Sequence, residues 1–128
     1  MPMEEWKSDF EWLRVRHVVK DAMGKDKLPD LQSILFLIGI QELGRWDHEK
    51  AFSKEEKQDL MHIAVCTLLE EDGYYDFVGR DQDGWPHWKK GRSFTTAGVK
   101  NQEEILKQKV IKYFSDMEAY NGGFAHHN

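Results

Sequence analysis

The stretch Leu31-Gln32-Ser33-Ile34-Leu35-Phe36-Leu37-Ile38-Gly39-Ile40-Gln41-Glu42-Leu43 decides the fold. Nine of its thirteen residues are apolar or glycine, Ser33 is small, and only Gln32, Gln41 and Glu42 clearly favour water. Wound at about 100° per residue, it is apolar most of the way round, which describes a helix covered on nearly every side. A bilayer span needs roughly 20 apolar residues, more than this stretch supplies. Pro29 stands where a first-turn proline belongs and Gly44 where a helix ends, so the core helix is expected over about 30–43. The rest of the chain then reads as its cover.

With 128 residues the chain is expected to form one helical domain over 1–128, long enough to bury about two thirds of the surface its unfolded form exposes. A composition 40% hydrophobic and 32% charged argues against disorder and against a membrane-embedded protein. The net charge of −5 argues against nucleic acid or an anionic membrane as a partner held by charge alone. Cys66 is the only cysteine, so no intramolecular disulfide can form. The first ten residues, MPMEEWKSDF, carry acids where a signal peptide carries bases. Both features point to a cytoplasmic protein.

Working outward, the segment before the core helix is expected to be helical over about 4–23 and to stop at Gly24. Its apolar residues fall on two faces. Trp6, Phe10, Leu13 and His17 share one, and Trp12, Val15, Val18, Val19, Ala22 and Met23 share the other, with mostly charged residues between. A helix packed only on its own core needs one stripe. Two stripes point to a second body, which makes Trp6, Phe10, Leu13 and His17 candidate interface residues and a homodimer, or another protein partner, the expected assembly.

Beyond the core helix, Ser53-Lys54-Glu55-Glu56 has the pattern of a capping box and opens a helix expected over about 53–72, closed by Gly73. Leu60, Met61, Ile63, Ala64, Val65, Thr67 and Leu68 form its broad apolar side. His62 and Cys66 fall on the polar strip opposite, beside Asp59 and Glu70. From Tyr74 the pattern becomes aromatic and β-branched, breaks at Asp81-Gln82-Asp83-Gly84, and resumes at Trp85. That is a β-hairpin over about 74–90 with a four-residue loop, in which Phe77 faces Trp88 and Asp76 faces Lys89. A last helix is expected over about 101–121, with Leu106, Val110, Tyr113, Phe114, Met117 and Tyr120 in a single stripe. The predicted fold is thus mainly α, a compact four-helix domain with a β-hairpin inserted between the third and fourth helices.

Chemistry is harder to find. The chain has no Gly-rich phosphate loop, no His-Glu-x-x-His, no paired cysteines and no Gly-x-Ser-x-Gly. Two tripeptides rhyme: Trp46-Asp47-His48 and Trp85-Pro86-His87. If the 45–49 loop met the hairpin tip at 81–88, His48, His87, Asp47 and Asp83 could hold a divalent metal, with Trp46, Trp85, Asp81 and Trp88 as the wall of a ligand site. Asp59, His62 and Cys66 share a helix surface at i, i+3 and i+7, which is a nucleophile-and-base grouping only if it lies in a cleft. The reading that needs fewest coincidences has no cofactor and no catalytic residues: a small protein that associates with itself or with a partner. The metal or small-molecule site, possibly hydrolytic, is the alternative.

Overall fold

In the computed structural model the described residues are 3–44, 51–92 and 99–121. Among them the elements are α1 (Met3–Met23), α2 (Leu31–Leu43), α3 (Lys54–Glu70), β1 (Tyr75–Arg80), β2 (Pro86–Lys90) and α4 (Val99–Asn121). The protein is mainly α, with an antiparallel hairpin between its third and fourth helices, as the residue pattern predicts. Helix boundaries lie within two residues of those expected. The chain divides into two units, one formed by its two ends, Met1–Leu31 and Ala97–Asn128, and one by the continuous segment Gln32–Thr96.

In the first unit α1 packs on α4. Val15 and Val19 of α1 are buried, as are Val110 and Phe114 of α4. Polar contacts fringe them. Arg14 Nη1 donates to Glu118 Oε1 at 3.0 Å, the Gln108 amide donates to the Ser8 hydroxyl, and the Lys107 ammonium lies 5.7 Å from the centre of the Trp12 ring. Arg16 Nε donates to the Pro29 carbonyl at 2.8 Å and so fastens the turn that leaves α1.

The second unit holds α2, α3 and the hairpin. Ile34, Leu35, Ile38, Gly39 and Leu43 of α2 are buried and fall within one half of its circumference, while Phe36, Leu37 and Ile40 on the other half are half-buried, so the helix is covered on fewer sides than its composition suggests. At Gly39 the two core helices meet backbone to backbone: a Cβ there would lie 2.0 Å from the Leu60 carbonyl oxygen. No other residue fits without moving α3. Leu43, Leu60 and Ile63 form a buried cluster, with Phe36, Ile40, Phe52, Trp85 and Trp88 closing its edges. Ser53 and Glu56 make the reciprocal capping box, with Glu56 N donating to Ser53 Oγ at 3.1 Å and Ser53 N to Glu56 Oε1 at 2.9 Å.

The hairpin pairs Asp76 with Lys89 and Phe77 with Trp88, the expected register. Beyond Phe77 the expectation needs correcting. Val78 is an extra residue on β1, Gly79 pairs with His87 and Arg80 with Pro86, so the loop is Asp81 to Trp85 rather than four residues closed by Gly84. The cause is local: Gly79 takes φ 125°, a conformation closed to most side chains, and a bulge forms there. A second correction concerns α3. Cys66, expected on the outward strip, is fully buried, and so is Leu69, because both strands lie against this helix and cover what periodicity alone leaves exposed.

Candidate functional site

Asp81 organises the hairpin loop. Its Oδ1 accepts from the amides of Asp83 (2.9 Å) and Trp85 (3.0 Å), and its Oδ2 accepts from His87 Nε2 at 2.8 Å. The His87 hydrogen bond, helped by those two amides, holds the Asp81 carboxyl below the usual carboxylate range. Both oxygens are therefore occupied by the loop's own donors, which makes this carboxylate a turn-former as the structure stands. Asp81 thus meets three other predicted site residues, His87 through its side chain and Asp83 and Trp85 through their backbone amides.

Two tryptophans of the predicted wall, Trp85 and Trp88, serve the core. Trp85 and Trp88 are half-buried against Leu43, Leu60 and Ile63, and Trp88 Nε1 donates to Glu70 Oε1 at 2.7 Å. Asp83 is exposed at the loop. Trp46, Asp47 and His48 lie outside the described residues. Among the described residues no group of three or more His, Cys, Asp or Glu side chains is placed to hold a metal ion, and no helix is long and apolar enough to cross a membrane.

On α3, Cys66 Sγ lies 3.4 Å from His62 Nε2, and the His62 ring meets the Tyr75 ring edge-on at 6.0 Å. Burial pushes the Cys66 thiol up to about 11, and the nearby Glu70 carboxylate adds to the shift. Burial likewise raises the Tyr75 phenol, with Cys66 contributing. A nucleophilic cysteine needs the opposite environment, one that favours thiolate. The contact is a packed thiol beside an exposed imidazole.

Two arginines hold the hairpin, and sequence reasoning passed over the first of them, Arg80. Arg80 Nη1 donates to the carbonyls of Leu43 (3.1 Å) and Gly84 (2.8 Å), and its Nη2 to the carbonyl of Glu42 (2.9 Å). It thereby closes the C-terminal end of α2 and the loop together. Arg92 Nε donates to the Asp72 carbonyl at 2.7 Å, and its guanidinium lies 4.4 Å from the centre of the Tyr74 ring. One signal was available in the sequence: the last turn of α2 has no basic residue of its own, so its outward carbonyls needed donors from elsewhere.

The predicted interface residues lie on α1. Phe10 is 56% exposed and Leu13 43%, and His17 is exposed one turn further on. Counted at about 100° per residue, this face is diametrically opposite the one that carries Val15 and Val19. Trp6 belongs to the same stripe by position, and its side chain lies outside the described ones. The flanks of the stripe are charged, with Lys7, Asp9 and Asp21 exposed and Lys20 half-buried. Arg14 is held by Glu118 and, at 3.4 Å, by Glu11, and its guanidinium is held charged chiefly by the Glu118 hydrogen bond. Such a face can bury apolar area against another surface. No family model, curated protein or solved structure matches this chain.

Proposed function

We propose that the protein is an association module without catalytic activity that forms a homodimer through α1, with Trp6, Phe10, Leu13 and His17 at the interface. The observation that carries this reading is the exposure of Phe10 and Leu13 on a helix whose opposite stripe is buried. Aromatic side chains anchor interfaces more often than most, and soluble monomers rarely leave contiguous apolar stripes open. The thiol chemistry supports a binding role over catalysis, since Cys66 is buried and its ionisation is disfavoured. A single cysteine supports a reducing, cytoplasmic setting. The net charge of −5 supports a protein partner over a nucleic acid.

Sedimentation velocity across a concentration series tests the reading. The wild-type chain is expected to sediment as a dimer in the micromolar range, and Phe10→Glu/Leu13→Glu as a folded monomer with unchanged helical circular dichroism. A wild-type chain that stays monomeric at high micromolar concentration overturns the proposal. So does a double variant that unfolds, which would assign these residues to an internal contact.

A further inference from the structure

We infer that the second copy docks antiparallel on α1, about a twofold axis that passes close to Arg14; this rests on the dimer reading above and adds its geometry. Charge sets the direction. Viewed along α1 at about 100° per residue, Asp9 and Lys20 lie on one flank of the Phe10–Leu13–His17 stripe, and Lys7 and Asp21 on the other. Each flank therefore carries one acid and one base near opposite ends of the helix, with an arginine between them, Arg16 on the first flank and Arg14 on the second.

In an antiparallel twofold pair, each flank faces its own copy with the direction reversed. Asp9 then meets Lys20 of the second copy, and Lys7 meets its Asp21, twice each by symmetry. Arg14 faces Arg14 at the axis, where Glu118 and Glu11 already offset its charge. Phe10 comes opposite His17, ring beside ring. A parallel pair also makes opposite-charge contacts, Lys7 with Asp9 and Lys20 with Asp21, but Lys20 and Asp21 already lie 3.9 Å apart within one helix. It also brings Arg14 against Arg16 twice and aligns the two helix dipoles in the unfavourable sense. The antiparallel arrangement avoids both Arg14–Arg16 contacts, while bringing Arg14 to Arg14 and Arg16 to within about one turn of its own copy, and it opposes the dipoles.

Charge reversal on the full chain distinguishes the two. Lys7→Glu alone and Asp21→Lys alone are each expected to raise the dimer Kd about tenfold, measured by sedimentation equilibrium at low salt, because each turns two attractive contacts repulsive. Lys7→Glu/Asp21→Lys restores attraction in the antiparallel pair and is expected to return Kd to within about threefold of wild type. In the parallel pair the double change sets the new acid against Asp9 and the new base against Lys20, so nothing is restored. A Lys7→Cys/Asp21→Cys chain, oxidised mildly, is expected to give a disulfide-linked dimer joining position 7 of one copy to position 21 of the other. A dimer in which the double reversal binds no more tightly than the single changes overturns the antiparallel geometry and leaves the dimer standing. Absence of any wild-type dimer instead removes the reading beneath it.

Discussion

The environment of Cys66 fixes how a single residue will report on the fold. The thiol is buried and its pKa is raised to about 11, first by burial and then by the Glu70 charge. The folded state thus binds the thiol proton more tightly than the unfolded state, in which a cysteine ionises near about 8.5. The stabilisation is complete below that value and is lost as pH rises from about 8.5 towards 11, where unfolded chains ionise first. We expect the melting temperature to fall over that window in wild type, and the fall to be smaller in Cys66→Ala. At neutral pH iodoacetamide should label Cys66 only in denaturant. Rapid labelling of the native protein would show that the thiol is open to solvent.

At the scale of elements, two contacts carry more weight than their size suggests. Gly39→Ala places a methyl group against the Leu60 backbone, so α2 and α3 must separate, and we expect a loss of roughly 1–3 kcal/mol by denaturant titration. Arg80→Met keeps most of the stem but removes three hydrogen bonds to main-chain carbonyls, with an expected cost of about 1–3 kcal/mol. If Arg80→Met melts like wild type, water replaces the guanidinium at the end of α2 at no cost. These two contacts also show where sequence reading stops. The helices were legible because α2 is apolar all round and because Ser53 and Glu56 signal a start whatever lies nearby. The Phe77–Trp88 pairing was read from a four-residue turn, and it holds because the bulge at Val78 offsets the fifth residue of the actual loop. The bulge at Val78, the burial of Cys66 and the reach of Arg80 to Glu42 and Leu43 could not be read, since each depends on which element lies opposite, and periodicity is silent about that. Of the candidate site residues, sequence reasoning placed Phe10, Leu13 and His17 on one face of a helix. It could not foresee that Asp81 would spend both carboxylate oxygens on its own loop.

For the molecule as a whole, stability should rest on the buried leucines of the core helices. Leu35 and Leu68 are both buried, and truncating either to alanine is expected to cost about 2–5 kcal/mol, a large share of the roughly 5–15 kcal/mol that holds a domain of this size together. Unchanged thermal melts for both would mean that these side chains are not where the stability lies. The division of the chain into a continuous segment and a unit built from its two ends also has a consequence for how the protein is made. Synthesis proceeds from the N-terminus at about 5–20 residues per second, and domains generally fold as they emerge. The segment Gln32–Thr96 is complete as soon as its last residue leaves the ribosome, whereas the packing of α1 on α4 cannot form until α4 follows. For some seconds the unit built from α1 and α4 is half made, and the nascent chain depends on the dense charges of α1, from Lys7 to Asp21, to keep that helix in solution while it waits.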